Sequence, residues 1–259
     1  MASAEHDWGS HIGCNFDRMF VGEIVGDHRC QKGKKEDKTI MRQINLAIKR
    51  CVDCLGSLIG LVILSPFLLI IALIIKLTSK GTVFFLQDRL GKGGKTFKII
   101  KFRTMVMGAE KKGDGLFVYG TNDNRITAIG KILRKTSLDE IPQLINVFKG
   151  DMSIVGPRPP VTYFPYDGFE NYPDWAKKRF QMRPGITGLA QVRTRTTAPW
   201  DERIVIDNEY VDKFNVLFDL KIIFKTFAAV LGSKNIYPES KEQINNDKHE
   251  QTGDKKENE

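Results

Sequence analysis

Cysteine is scarce in this chain: Cys14, Cys30, Cys51 and Cys54 are all there is in 259 residues. Four thiols are too few for a disulfide scaffold. A structural zinc site needs about four ligands at tight spacing, and Cys51-x-x-Cys54 has no second close pair. The pair is expected to be two thiols one turn apart on a helix. Residues 1–40 lack an apolar core, so no signal peptide is expected there. Internal repeats are absent. Residues 233–259 are nearly all polar with alternating charge, and are expected to form a disordered tail. Charge itself is missing from Cys54 to Ile75, and acid is in deficit overall. Forty Lys and Arg against 31 Asp and Glu leave a net charge of +9. That sign suits nucleic acid, anionic lipid or phosphorylated small molecules as partners. The length allows one large domain or two small ones.

As a straight helix the uncharged run Cys54–Ile75 measures about 33 Å at ~1.5 Å per residue. That is enough to span a hydrocarbon core of about 30 Å. Two features speak for a re-entrant dip instead. Ser65-Pro66 sits at the middle, where proline removes the bond to the Val62 carbonyl. In lipid that carbonyl needs a local partner, and the Ser65 hydroxyl could supply it. Each half then covers about 16 Å, enough to reach the midplane and return. The second feature is charge: Lys49 and Arg50 precede the run, Lys76 and Lys80 follow it. A span should be more basic at its cytoplasmic end, and here both ends read as cytoplasmic.

After Gly81 the pattern changes to short strands. Val83–Leu86 and Phe97–Ile99 flank a glycine-rich loop, Leu90–Lys95, and predict a hairpin. Gly94-Lys95-Thr96 is not a phosphate loop, because Arg89 stands where the first glycine of that motif belongs. Leu138, Ile141, Leu144, Ile145 and Phe148 recur at helical spacing up to Gly150. Trp200–Phe214 and Val216–Leu231 predict two more helices. The second mixes Lys221 and Lys225 with apolar residues, which suits packing on a core or lying in a membrane interface.

Two adjacent carboxylates, Asp139 and Glu140, stand out in a basic neighbourhood of Arg125, Lys131, Arg134, Lys135, Arg158, Arg179 and Arg183. Ser137 and Glu140 have the spacing of a capping box, and acids in a first helical turn complement its dipole. A helix starting at Ser137 would place Pro142 at its fifth position and cost a backbone bond. A start nearer Pro142 would leave the acids on a preceding turn. The alternative is a reactive dyad. Arg158 lies between Pro157 and Pro159, whose rings restrict the backbone carrying its guanidinium. Such placement suits bidentate phosphate recognition. Aspartate can attack phosphorus once cations remove the charge repulsion.

These blocks resemble the small monotopic phosphoglycosyl transferases, also called bacterial sugar transferases. The similarity runs from about Lys49 to Val230. It includes Lys49-Arg50-x-x-Asp53, Ser65-Pro66, Gln87-x-Arg89-x-Gly91, Lys101-Phe102-Arg103-Thr104-Met105, Leu133–Leu144, Lys149–Pro159 and Arg183–Gly188. The resemblance implies an α+β, mainly helical fold with a re-entrant helix-break-helix at Ser65 and Pro66, a small β-hairpin and interfacial amphipathic helices. It implies an enzyme that moves a phosphosugar from a UDP-sugar to polyprenyl (undecaprenyl) phosphate and releases UMP. Asp139 would be the nucleophile that carries the phosphosugar. Glu140 would assist as metal ligand or as base, with Mg²⁺ as cofactor held by Asp139 and Glu140. Arg134, Arg158, Lys101, Arg103 and Arg195 would bind substrate phosphates. The family often continues with Asn-Gly-Arg after Val192, where this chain reads Arg193-Thr194-Arg195.

The expected layout is an N-terminal extension (1–44), a membrane hairpin (45–80), a cytoplasmic catalytic domain (81–232) and a polar tail (233–259). The expected location is the bacterial cytoplasmic membrane, with anionic lipid as a further partner and a homodimer left open. The competing class is a non-catalytic membrane scaffold of a glycan assembly system, against which the intact acid pair speaks. Nucleic acid is not an expected partner, because no aromatic-basic recognition motif is present.

Overall fold

A computed structural model describes the backbone of residues 16–109, 123–194 and 198–231. The expected tail lies outside the described residues. The chain divides into two compact units, Met1–Ile48 and Lys49–Glu259. The first is helical from Phe16, with Ile40, Met41, Ile44 and Ile48 exposed along it.

Helix α1 (Phe16–Thr78) contains the whole uncharged run. Among the described residues, its stretch Thr39–Thr78 is the one helix long and apolar enough to cross a membrane. Helical structure continues through Pro66, the residue expected to kink it. The physical reason is the one the residue pair suggests. Pro66 has no N–H for the Val62 carbonyl, and Ser65 Oγ donates to that carbonyl at 2.8 Å. A hydroxyl thus takes up the carbonyl that proline leaves without its backbone bond.

One face of α1, from Lys49 onward, is covered by the rest of the second unit. Lys49 Nζ donates to the Val155 carbonyl at 2.8 Å and to Asp219 at 2.5 Å. Arg50 donates to the carbonyls of Val147 and Phe148 at 2.7 and 2.9 Å. Asp53 accepts from Ile154 N–H at 2.9 Å. One turn further, Gly56 and Gly60 permit close approach: a Cβ on either would sit 3.2 Å from Ile154 or Leu144 side chains. Beyond Pro66, Ile71 and Ile75 pack with Phe102 and Leu133. The other face is bare, with Leu55, Ile59, Val62, Ile63, Leu69 and Leu73 exposed.

Strands β1 (Phe84–Leu90) and β2 (Thr96–Phe102) form the expected hairpin. They pair antiparallel from Phe84 with Phe102 to Leu90 with Thr96, around the turn Lys92–Gly94. Helix α2 (Ala128–Lys135) starts at Thr127, whose hydroxyl accepts from Gly130 N–H. A 3-10 turn, Leu138–Gln143, leads into α3 (Leu144–Lys149), which ends on Gly150 at φ 95. Short strands β3 (Ser153–Val155) and β4 (Gly185–Thr187) pair in parallel. Helices α4 (Asp174–Lys177), α5 (Leu189–Thr194), α6 (Trp200–Lys213) and α7 (Val216–Leu231) complete the unit. The last two match the sequence expectation closely. On α7, Ile222 is buried while Leu217, Leu220, Phe224 and Phe227 form an exposed stripe.

Asn146 clamps α3 to β2. Its side chain donates to the Lys98 carbonyl at 2.8 Å and accepts from Ile100 N–H at 3.0 Å, as a neighbouring strand would. Its own carbonyl takes the N–H groups of Gly150, Asp151 and Met152. Asn146→Ala leaves two strand groups unpaired and is expected to destabilise the protein by about 2–4 kcal/mol. The measurement is the denaturation midpoint of the detergent-solubilised protein, and an unchanged midpoint would remove the clamp.

Candidate active site

The acid pair sits on the 3-10 turn Leu138–Gln143, between α2 and α3. The α-helix begins after Pro142, at Leu144, so the acids precede it. No capping box forms. Ser137 adopts the left-handed conformation at φ 57 and its side chain caps nothing. Its backbone is used instead: its N–H donates to the Arg134 carbonyl at 3.1 Å, and its carbonyl accepts from Glu140 N–H at 3.2 Å. Left-handed backbone costs a non-glycine residue about 1 kcal/mol or more. It turns the chain so that neighbouring side chains part company. Leu138 packs into the cluster of Ile71, Ile75, Phe102 and Leu133, while Glu140 meets cations.

Lys101, from β2, donates to Glu140 Oε1 at 2.6 Å, and Arg158 Nη2 lies 3.5 Å from the same oxygen. Burial would raise the Glu140 pKa, but Lys101 and Arg158 outweigh it and hold the group at about 2. Burial acts unopposed enough on Asp139, with Glu140 beside it as a like charge, to raise that group to about 6. Lys101 and Arg134 work against this rise. Lys101 itself is lowered, chiefly by burial. Two adjacent carboxyls are thus pushed in opposite directions by their surroundings.

Arg134 directs Nε onto Thr104 Oγ1 at 2.8 Å while its charge reaches Asp139. Arg103 is not brought to the dyad by its bonds. It is buried and donates to the Lys80 carbonyl at 2.6 Å and to the Ser79 carbonyl and hydroxyl at 2.9 and 2.6 Å, at the end of α1. Arg195 lies outside the described residues. Sequence reasoning passed over Arg89 as a site group. Its charge acts on Glu140 and its Nη1 donates to the Pro159 carbonyl at 3.0 Å. The available signal was the strand period that puts Gln87 and Arg89 on one face.

The donor set suits Mg²⁺, which typically takes one or two carboxylates and completes its shell with substrate phosphates and water. Glu140 offers a carboxylate whose recorded cationic contacts fall on Oε1, and Asp139 adds a second, half-buried one. No larger cluster of His, Cys, Asp or Glu occurs among the described residues.

Residues 44–233 match the family described as bacterial sugar transferase. The chain is 37% identical over 210 residues to exopolysaccharide production protein ExoY of Sinorhizobium fredii, covering 76% of this chain and 91% of that one. It is 43% identical over 201 residues to exopolysaccharide production protein PSS of Rhizobium leguminosarum bv. phaseoli, covering 73% and 97%. It is 41% identical over 194 residues to the UDP-glucose:undecaprenyl-phosphate glucose-1-phosphate transferase of Caulobacter vibrioides, covering 73% and 72%.

Because the fold raises Asp139 from 3.8 to about 6, the folded state binds its proton more tightly than the unfolded state. Its stabilising share is therefore present at low pH and lost as pH rises through that window. Asp139→Asn is expected to melt higher than the parent at pH 7.5, with the gap closing at pH 4. A gap that widens on acidification would contradict the raised value.

Proposed function

As the chain belongs to the bacterial sugar transferase family and is a phosphoglycosyl transferase, we propose that it transfers a phosphosugar from a UDP-sugar to polyprenyl phosphate through an aspartyl intermediate. The observation that carries this is the split pair: Asp139 beside a Glu140 held ionised by Lys101 and Arg158. The relative from Caulobacter vibrioides is named for the corresponding transfer of glucose 1-phosphate to undecaprenyl phosphate.

The Asp139 carboxylate attacks the sugar-bearing phosphorus. An acyl-phosphate bond forms, the diphosphate P–O bond breaks, and UMP leaves with the electron pair. An oxygen of polyprenyl phosphate then attacks the same phosphorus. The acyl-phosphate bond breaks, Asp139 regains its carboxylate, and polyprenyl-diphosphate sugar is released. Arg158 and Arg134 bind and orient the diphosphate and offset its charge. Glu140 at about 2 is a poor base, which favours its role as a metal ligand. Mg²⁺ held by Asp139 and Glu140 would supply further charge neutralisation when bound.

The protein works from the bilayer surface. Lys49 and Arg50 before the apolar run, and Ser79 and Lys80 after it, all bond to one globular unit. A spanning helix would put those ends on opposite sides of about 30 Å of hydrocarbon. α1 therefore dips in, bends at Ser65-Pro66 and returns on the cytoplasmic face, its bare side in lipid, as basic residues at both ends suit. The stripe Leu217, Leu220, Phe224 and Phe227 on α7 rests in the interface, with Lys221 and Lys225 toward anionic headgroups. Leu138 packs on α1 directly beside the acids, so the lipid phosphate need not leave the surface to reach them.

Asp139→Asn is expected to abolish UMP release from UDP-sugar plus polyprenyl phosphate. The parent, given UDP-sugar alone, is expected to release at most one UMP per site and retain the phosphosugar on protein. Turnover by the Asn variant would sink the covalent route. For topology, single cysteines at Gln43 and Lys80 in a background without native cysteine should both react with an impermeant maleimide in inside-out vesicles only. Labelling from opposite sides would mean a spanning helix.

A further inference from the structure

Arg158 rides on Pro157-Arg158-Pro159-Pro160, a segment with a single backbone N–H. Each of its four carbonyls is held by a different donor. Gly185 N–H takes Pro157 at 2.9 Å, and Leu90 N–H takes Pro160 at 3.0 Å. Arg89 Nη1 takes Pro159 at 3.0 Å. Arg179 Nη2 takes the carbonyl of Arg158 itself. The segment is a strap tied to β1, β4 and the 3-10 turn Lys178–Gln181.

The Arg179 tie differs from the rest. Its guanidinium is 1% exposed and faces Asp207, also 1% exposed, with Nη2 2.7 Å from Oδ2. The same nitrogen thus pairs by charge with Asp207 and donates a hydrogen bond to the Arg158 carbonyl. The rings of Phe180 and Trp200 lie 5.6 and 5.7 Å from the guanidinium. Nε and Nη1 of Arg179, and both carboxylate oxygens of Asp207, have no hydrogen-bond partner among the described residues, so Asp207 holds the guanidinium by charge. Burying a charge pair is costly, and apolar replacements of similar volume are often as stable or more so. Stability is a weak reason for this pair to be here. Its geometry supplies a better one: Asp207 orients the nitrogen that fixes the backbone under Arg158.

We propose that Arg179 and Asp207 are positioning residues for phosphosugar transfer: Asp207 aims Arg179 Nη2 at the Arg158 carbonyl, which sets the Arg158 guanidinium over the diphosphate beside Glu140. This rests on the reading of Arg158 as a diphosphate ligand. Neither residue touches substrate. Both act through Arg158, from elements far from it in sequence.

The test compares Arg179→Met/Asp207→Leu, which removes both members of the ion pair, with Arg158→Ala and with the three changes combined. The full-length, detergent-solubilised enzyme is assayed for UMP release at varied UDP-sugar. The Met/Leu variant is expected to melt within a few degrees of the parent. It should raise KM for UDP-sugar about tenfold or more, with a smaller change in kcat, the pattern of lost substrate binding. On the Arg158→Ala background the same two changes should cost almost nothing further, because the residue they position is gone. Arg179→Lys keeps a charge opposite Asp207 and should recover part of the KM. It carries the same test if the Met/Leu variant does not fold. An unchanged KM in these variants, or losses that multiply with Arg158→Ala, would overturn the positioning role. A silent Arg158→Ala would instead overturn the diphosphate reading beneath it.

Discussion

The site depends on one ionised carboxylate held among cations. Glu140 keeps its charge because Lys101 and Arg158 reach it from β2 and from the proline strap. Without them, burial would drive that group toward the neutral acid. Its charge in turn raises Asp139 and pulls Lys101 and Arg158 to one point. Three separate elements are thus registered against each other by a single side chain. The arrangement makes Asp139 the group whose protonation responds near neutrality, while its neighbour stays a fixed anion.

The same turn links the acid pair to the apolar helix. The left-handed backbone at Ser137 sends Leu138 into the cluster with Ile71, Ile75, Phe102 and Leu133. The acids that follow face the polar side. α1 is therefore part of the foundation under the acid pair. Its other contacts serve that end. Lys49, buried against Asp219, with Tyr210 donating to Asp219 at 2.8 Å, pins the start of the apolar run to α6 and α7. The small residues Gly56 and Gly60 let Ile154 and Leu144 come close. In membranes a face of small residues spaced four apart often receives another helix. Here it receives the chain's own catalytic unit.

Several features were legible because they are local. The Ser65 hydroxyl and the Val62 carbonyl are three residues apart, so a proline and a serine suffice to predict their bond. The hairpin, α6 and α7 follow from short-range periodicity and turn residues. The capping-box reading of Ser137 and Glu140 was also local, and it failed. A side chain with a strong remote partner follows that partner, and Lys101 lies 39 residues away. Arg103 shows the same limit. The family resemblance implied a phosphate ligand there, whereas its fork closes on carbonyls at the end of α1. Arg179 and Asp207 carried no sequence signal of pairing at all. One sits in a short 3-10 turn and the other on α6.

By itself the sequence determined the uncharged run and its proline, the order of short strands and helices, and the adjacency of Asp139 and Glu140. Its ordered motifs also determined the family. These are properties of covalent neighbours and of periods of two or about 3.6 residues. Tertiary structure alone decided which cation meets which acid, which arginines are spent on backbone carbonyls, and which face of α1 is covered. Those outcomes depend on where remote segments cross. There the Coulomb and hydrogen-bond energies between partners far apart in the chain exceed any local preference.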